Sequence, residues 1–288
     1  MKKNTCLICN NNKFEKIYSA KKFPLFFGAI DQKNVNKVKE YPIHIGACKK
    51  CSHVQQINRL NMKIINNIYK ADYYSCPSPQ ISGYGVREIN NFLNFFDKSK
   101  IKVGKCLEIA SFDGYLLRKL KQRKWDVYGI DPATMTLEAK KLIGKNRIKK
   151  KYFKKYTYPK KSFDLVIFRN FLEHIVDLEN FMENVSHVLK NDGKILVEVP
   201  NIKYCIPFRC YGIFFHQHLS HFSLEVLRLF LNKKGFKIIR SKEADNLYIF
   251  AQKIESSSSS KIKRNMMEKN HISNKIKRNM IQKKYIST

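Results

Sequence analysis

The sequence contains no long apolar run and no export signal. Nowhere do about 18 apolar residues follow one another, so a membrane-spanning helix is not predicted. The first residues of the chain are basic, but no apolar signal-peptide core follows them. We therefore expect a cytoplasmic protein without a membrane span.

Acidic residues are also scarce. The chain has 23 of them against 56 lysines and arginines, which gives a formal net charge of +33. A field of this size attracts phosphates and favours either nucleic acid or an anionic small molecule as the partner. However, the basic residues are spread over the whole chain and are not interleaved with aromatic residues in a recognisable binding motif. Nucleic acid is therefore not the expected partner, and a nucleotide-linked small substrate is.

Three regions of the chain differ in composition. Residues 1–75 hold two C-x-x-C pairs and no strong helical period, which predicts a small zinc-binding domain. Residues 76–255 alternate apolar runs with amphipathic stretches, as a ligand-binding domain with a central sheet would. Residues 256–288 open on five serines and repeat the sequence Lys-Ile-Lys-Arg-Asn-Met, which predicts a basic, disordered tail.

The middle region predicts an α/β, Rossmann-like fold. The predicted strands cover residues 105–110, 127–131, 163–168 and 195–199. The predicted helices cover residues 134–142, 178–189 and 224–231, with Ser223 as a cap and with Gly193 and Gly235 as left-handed ends. Strands that alternate with helices imply a parallel sheet covered by helices on both faces. The last two β-rich runs, 236–239 and 247–251, have no helix between them and predict an antiparallel hairpin.

The first predicted strand ends on the sequence Glu-Ile-Ala-Ser-Phe-Asp-Gly. It lacks the G-x-G-x-x-G pattern that lets a pyrophosphate approach the backbone, so a dinucleotide is not the expected ligand. Carboxylates suit the amino group and the sulfonium of S-adenosylmethionine, and the N–H groups at a helix start suit its carboxylate. The alternative is an ordinary turn, in which Asp and Gly are common. The candidate cofactor-binding residues of this turn are Glu108, Ala110, Ser111, Asp113 and Gly114.

Two further strand ends add to the predicted site. Asp131 ends the second strand, where a carboxylate accepts hydrogen bonds from ribose hydroxyls, although with Pro132 it also fits a helix N-cap. The third strand is followed by Asn170, Glu173 and His174, which we expect under the cofactor and beside the substrate. A Glu-His pair at the start of a helix is commonly structural, so both interpretations of this pair stay open.

Four of the eight cysteines form two C-x-x-C pairs, Cys6 with Cys9 and Cys48 with Cys51. Without an export signal this pattern indicates metal binding rather than disulfides. Each turn points two thiolates at one ion, and two turns complete a tetrahedron. We predict a structural zinc ion with no open coordination position, and a redox pair is the alternative.

Several motifs resemble class I methyltransferases. They are the turn at 108–114, Gly-Ile-Asp-Pro-Ala at 129–133, Asn-Phe-Leu-Glu-His at 170–174 and Val-Glu-Val-Pro-Asn at 197–201. The sheet of that family ends in an antiparallel hairpin, whereas nicotinamide dehydrogenase domains continue with parallel strands. The cysteine pairs, and Phe-His-Gln-His-Leu-Ser-His-Phe-Ser at 215–223, make residues 1–255 similar to sugar C-methyltransferases, which act on nucleotide-linked keto-deoxysugars. That family's segment reads Y-H-E-H-x-S-Y-F-S.

The resemblance implies a chemistry for the site. Carbon methylation needs a base beside a keto group, and His218 matches the family's histidine for that role. Tyr73 and Tyr74 would polarise the keto oxygen, and Gln217 stands where the family has glutamate. A structural role in the loop is the alternative for His218. A metal site made of this run's histidines alone is not expected, because the run has no carboxylate or cysteine.

The chain stops where full-length members of that family continue with another α/β domain. A separate chain that completes the substrate site is therefore a candidate partner. Together with Gln217, the shorter length favours an alternative, O- or N-methylation of another small metabolite or glycan precursor. The net charge of +33 supports a second alternative, a zinc-ribbon nucleic-acid-binding protein or RNA methyltransferase. A non-catalytic relative is the third.

Overall fold

The computed structural model describes residues 5–26, 29–68, 74–75, 78–205 and 213–254. The predicted tail at 256–288 lies outside the described residues, so its disorder stays a prediction. Within the described ranges, no helix combines the length and apolarity that crossing a bilayer requires.

The N-terminal region forms an antiparallel sheet of four strands. In spatial order they are β1 (Phe14–Pro24), β3 (Glu40–Cys48), β4 (Val54–Gln56) and β11 (Ser220–His221). A separate pair joins β2 (Ala29–Ile30) to β5 (Tyr74–Ser75), and a short helix, α1, covers Met62–Ile68. We call the four-stranded sheet and the two cysteine turns the N-terminal module. Its strand β11 comes from residues 220–221, far beyond the predicted boundary at residue 75. The residues before that boundary therefore do not form this sheet alone.

The second sheet has seven strands. In spatial order they are β12 (Phe236–Glu243), β13 (Asn246–Lys253), β10 (Leu189–Pro200), β9 (Phe163–Arg169), β6 (Lys105–Ile109), β7 (Asp126–Ile130) and β8 (Ile148–Lys149). The last five of these run parallel, whereas β13 runs antiparallel to both of its neighbours. The predicted parallel sheet and the closing hairpin are therefore confirmed.

Helices cover both faces of this sheet. They are α3 (Val86–Lys98), α4 (Tyr115–Gln122) and α5 (Thr136–Ile143) on one face and α6 (Leu178–Val188) and α8 (Leu224–Lys233) on the other. Of two four-residue helices, α2 (Pro79–Ser82) has no buried residue, and α7 (Ile202–Cys205) packs with the N-terminal sheet through Ile202. Successive strand residues point to opposite faces. Leu107 and Val166 thus pack with the apolar sides of α6 and α8, while Cys106 and Leu165 pack with α3, α4 and α5. Both faces are buried, which explains the nearly continuous apolar strands in the sequence.

One predicted helix end is wrong. The helix α6 stops at Val188, Leu189 is already extended, and Gly193 lies within β10 without a left-handed conformation. The chain enters the next strand directly, and a side chain at Gly193 would come within 2.9 Å of Leu189. Gly193 therefore serves close packing. The predicted cap and end of α8 are confirmed, because the Ser223 side chain accepts from the Val226 N–H and Gly235 has φ of 80°.

Candidate active site

The turn between β6 and α4 has an uncommon backbone. Ala110 and Phe112 have φ of 60° and 44°, in the left-handed region that residues other than glycine rarely enter. Gly114 has φ of 76°, and a Cβ there would stand 2.9 Å from the Cβ of Ala139. The turn therefore needs glycine at 114 both for its conformation and for the close approach of α5. Strain of this kind is common at ligand-binding sites.

Glu108 is the most unusual carboxylate of this turn. Only 5% of the residue is exposed, and its Oε2 has no hydrogen-bond partner among the described residues. Burial raises the pKa of Glu108 to about 8, and the nearby charges of Asp113 and Asp131 raise it further, against the opposing effect of Arg169. A buried carboxylate without a partner is costly. The site therefore fits a ligand that brings a positive charge to Glu108.

Asp113 has a full set of partners within the protein. Its carboxylate accepts hydrogen bonds from the Ser78 hydroxyl at 2.5 Å, the Gln80 N–H at 3.0 Å and the Tyr115 N–H at 3.0 Å. It therefore fastens the start of α2 to the start of α4. Ser111 also faces the protein, because its Oγ would lie 2.6 Å from a Cβ built on Gly129. For these two residues the structure favours positioning the turn over direct contact with a ligand.

Asp131 holds two turns together at the end of β7. Its carboxylate accepts from the N–H of Ala133 at 2.7 Å and from the N–H of Phe112 at 3.0 Å. Burial raises its pKa, and the two N–H groups oppose that rise. Each carboxylate oxygen can accept a second hydrogen bond, so a ribose hydroxyl remains a feasible partner. The two interpretations of Asp131 are thus compatible, while Pro132 is exposed beside it.

The end of β9 carries the third group. Asn170 is exposed with φ of 45°, and its N–H donates to the Glu198 carbonyl. Glu173 is 1% exposed, and neither of its carboxylate oxygens has a hydrogen-bond partner among the described residues. Burial raises the pKa of Glu173 to about 8 and lowers that of His174 to about 4. Both side chains are therefore mainly uncharged near neutral pH.

The predicted histidine segment, residues 215–223, reaches the same place. The rings of His218 and His174 meet edge to face with their centroids 4.8 Å apart. The Nδ1 of His218 lies 2.9 Å from the Ile213 carbonyl, so Nδ1 carries the proton and donates, and Nε2 keeps its lone pair. Burial lowers the pKa of His218 well below its usual value, so the ring is neutral at pH 7.

The side chain of another predicted catalytic residue, Gln217, has a partner of its own. Its amide donates to the Phe26 carbonyl at 2.5 Å, just beyond the end of β1. Tyr73 lies outside the described residues, and Tyr74 is described only as the backbone start of β5. The structure therefore brings His218 to Glu173 and His174, and the roles of Tyr73 and Tyr74 stay predictions.

Gln56 of β4 and His53, the residue before that strand, contribute to the site and were not predicted as site residues from the sequence. The Gln56 side chain donates to the carbonyls of Phe215 at 2.7 Å and His218 at 2.9 Å. His53 shares a hydrogen bond of 3.1 Å with the Ser220 hydroxyl. Both residues are fully buried. Polar side chains on a short strand carry no signal of a distant partner, which is why sequence reasoning did not find them.

The four cysteines of the C-x-x-C pairs converge at the edge of the N-terminal module. The Cys6 and Cys51 sulfurs lie 3.5 Å apart, as do those of Cys9 and Cys48, and all four lie within 4.8 Å of one another. The Cys51 thiol donates to Cys6 and lowers the pKa of Cys6 to about 5. An ionised sulfur among three others is the donor set that a tetrahedral zinc ion takes.

Comparison with known proteins agrees with this fold. A family model described as a methyltransferase domain matches residues 83–241, which is more than half of the chain. The chain belongs to this methyltransferase family. The matched range includes the ends of β6, β7 and β9 and stops within β12.

Individual relatives are more distant. The chain is 32% identical over 81 residues to the C-methyltransferase NovU of Streptomyces niveus, a match that covers 28% of this chain and 19% of that protein. The PH0226 protein of Pyrococcus horikoshii OT3 superposes with a TM-score of 0.51 at 18% identity, over 61% of this chain and 93% of that one. A chain of the complex between the Haloferax volcanii Trm112 methyltransferase activator and a methyltransferase gives 0.50 at 12% identity, over 59% and 93%. The two structures support the fold alone.

Proposed function

We propose that the ends of β6, β7 and β9 bind S-adenosylmethionine, with Glu108 facing a positive group of the cofactor. The observation that carries this proposal is the buried Oε2 of Glu108, which has no protein partner in the described part of the chain. The carboxylate of Asp131 would accept from a ribose hydroxyl with its remaining lone pairs. When bound, the cofactor supplies a methyl group carried by a positively charged sulfur.

We further propose that the acceptor is a carbon beside a keto group of a nucleotide-linked sugar. The NovU match supports C-methylation, and the resemblance of the histidine segment to sugar C-methyltransferases supports the sugar. In this chemistry the Nε2 of His218 takes a proton from the carbon, and the electron pair of that bond moves onto the keto oxygen. The carbon then forms its bond to the methyl group, and the sulfur keeps the pair of the broken bond.

The cysteine cluster is proposed as a structural zinc site. Cys6, Cys9, Cys48 and Cys51 supply four sulfurs, which leaves no open position on the ion. Zinc would therefore fix the two cysteine turns and through them β3 and β4. It would not take part in methyl transfer.

Cofactor binding can be tested by titration calorimetry with S-adenosylmethionine. The Glu108→Gln and Asp131→Asn variants are expected to bind at least tenfold more weakly than the unsubstituted protein. Asp126→Asn is the matched control, because Asp126 is the exposed residue at the other end of β7. Equal affinity in all four proteins would reject the proposed cofactor contacts.

The acceptor can be tested by deuterium exchange. Nucleotide-linked keto-deoxysugars are incubated with the protein in deuterated water, and exchange beside the keto group is followed by NMR. We expect the exchange to occur only when the protein is present. Its rate should drop at least tenfold in His218→Gln but not in His187→Gln, near the end of α6. Methyl transfer to a sugar oxygen without such exchange would favour the O-methyltransferase alternative.

A further inference from the structure

The end of β9 places three donor groups around one point. Glu173 and His174, from the turn after that strand, and His218 each offer one ligand atom within 4.8 Å of the other two. We propose that Glu173, His174 and His218 bind a divalent transition-metal ion at this point. Two imidazoles and a carboxylate are a ligand set that proteins use for iron(II) and also for zinc.

The state of Glu173 is an independent argument for a cation. Its side chain is buried, and both oxygens lack a hydrogen-bond partner among the described residues. The basic side chain that the described residues place beside it is His174, whose Nε2 is 3.9 Å from Oε1, beyond hydrogen-bond distance. Glu198 does not help, because it is a second acid and already pairs with Arg169. A metal ion would supply the charge that these neighbours do not.

The two histidines are also prepared as ligands. The Nδ1–H of His218 donates to the Ile213 carbonyl, which directs the lone pair to Nε2, and metal-binding histidines are commonly oriented by such a bond. The Nδ1 of His174 is buried without a partner, while 29% of its side chain is exposed. The cluster therefore has an opening to solvent through His174.

Three protein ligands leave open positions on the ion. An ionised Glu173 and two neutral histidines would leave a divalent ion with one net positive charge, which suits an oxygen that becomes negative. We assign the open position to the keto oxygen of the acceptor, a role that rests on the proposed function, whereas binding of the ion does not. With the ion bound, the Nε2 of His218 would be a ligand and could not also take the proton, so ligand and base are alternative roles of this ring that the exchange experiment separates.

Binding can be tested by electron paramagnetic resonance with Mn²⁺ and the full-length protein that carries one zinc ion per chain. Manganese prefers oxygen and nitrogen ligands, so the four cysteines do not compete for it. We expect one saturable Mn²⁺ site, with affinity at least tenfold lower in Glu173→Gln and in His218→Gln. Glu179→Gln, at the exposed start of α6, and His187→Gln, half-buried near the end of that helix, are matched controls.

Folding of the variants is checked by their melting temperatures. Glu173→Gln removes a buried acid without a partner, so we expect it to fold at least as stably as the unsubstituted protein. The absence of a saturable site, or the same Mn²⁺ affinity in Glu173→Gln and His218→Gln as in the controls, would overturn the proposal.

The role of the ion is tested by the deuterium exchange of the keto sugar. We expect exchange to stop after mild chelation and to return with Mn²⁺, while the zinc content, measured in the same samples, stays constant. Exchange that continues without the ion would restore His218 as the base and reject the metal's role. Mn²⁺ binding with no exchange on any keto sugar would keep the ion site and reject the proposed acceptor.

Discussion

The side chain of Gln56 donates a hydrogen bond to the carbonyl of His218, although the sequence placed the two residues in different predicted domains. The same amide also holds the Phe215 carbonyl, and the backbone N–H of Gln56 donates to Leu219. Three bonds from one buried residue thus fix the segment that carries the proposed catalytic histidine. The N-terminal module is therefore part of the active-site framework.

Replacing Gln56 with leucine is expected to loosen the histidine segment without affecting the cofactor site. The change leaves two buried carbonyls without a donor, which costs about 1–3 kcal/mol for each such group. Hydrogen–deuterium exchange should become faster at residues 213–221 and stay unchanged at 108–114. Asn58→Leu is the control, because Asn58 also donates a side-chain hydrogen bond but does so at the module's exposed edge. Unchanged protection of the segment in Gln56→Leu would contradict the proposed clamp.

Removing zinc is also expected to loosen the histidine segment. In Cys51→Ser the cluster loses one thiolate, and the bound zinc per chain should fall from one to near zero. The strand β4 begins three residues after Cys51 and pairs with β11. We therefore expect faster hydrogen–deuterium exchange at Ser220 and His221 as well. Metal analysis and exchange on the same sample provide the measurement. Cys106→Ser is the control, since Cys106 lies on β6 away from the cluster, and it should keep its zinc.

Cofactor affinity is expected to increase with pH up to about 8. The pKa of Glu108 is raised by burial to about 8, so at pH 6 the residue is protonated and must release a proton to face a cation. Calorimetry in buffers with different ionisation enthalpies should show that release at pH 6 and little of it at pH 9. The pH dependence should be absent in Glu108→Gln and should persist in Glu173→Gln, whose substituted acid lies at the end of another strand.

The raised pKa of Glu108 also makes the cofactor-free protein less stable as pH increases. A carboxyl whose folded pKa lies above its unfolded value lowers the free energy of unfolding as pH rises through that interval. We therefore expect Glu108→Gln to raise the melting temperature of the cofactor-free protein at pH 8 but not at pH 4. A variant that is less stable at both pH values would indicate that the ionised carboxylate has a protein partner.

Gly114 offers a test of the turn itself. Gly114→Ala combines a positive φ with a contact of 2.9 Å to Ala139, whereas Gly235→Ala has φ of 80° and no atom within 4 Å of the new Cβ. The conformational cost of about 1–2 kcal/mol is shared by both variants. We expect Gly114→Ala to lower the free energy of unfolding further and to weaken cofactor binding, as urea unfolding and calorimetry would show. Equal losses in the two variants would mean that α5 moves to make room.

The central sheet could be predicted because its signals are local. Apolar runs, capping by Ser223 and the absence of a helix between β12 and β13 each lie within a few residues. The C-x-x-C spacing likewise predicted four cysteines that converge. The left-handed end at Gly193 was wrong, because an Asn-Asp-Gly sequence fits a turn as well as the packed start of a strand. Gln56 and Glu173 could not be connected to His218, because only the folded topology brings them together.

The placement of β11 has a consequence for synthesis. Ser220 and His221 complete the N-terminal sheet, so a ribosome must translate nearly the whole described chain before the edge of β4 is covered. Until then the nascent module presents unpaired N–H and carbonyl groups, which are a template for association with other chains. A fragment that ends at residue 75 would keep that exposed edge permanently. Truncation experiments on this protein should therefore supply the strand in trans, or retain it on a linker, to obtain a soluble N-terminal module.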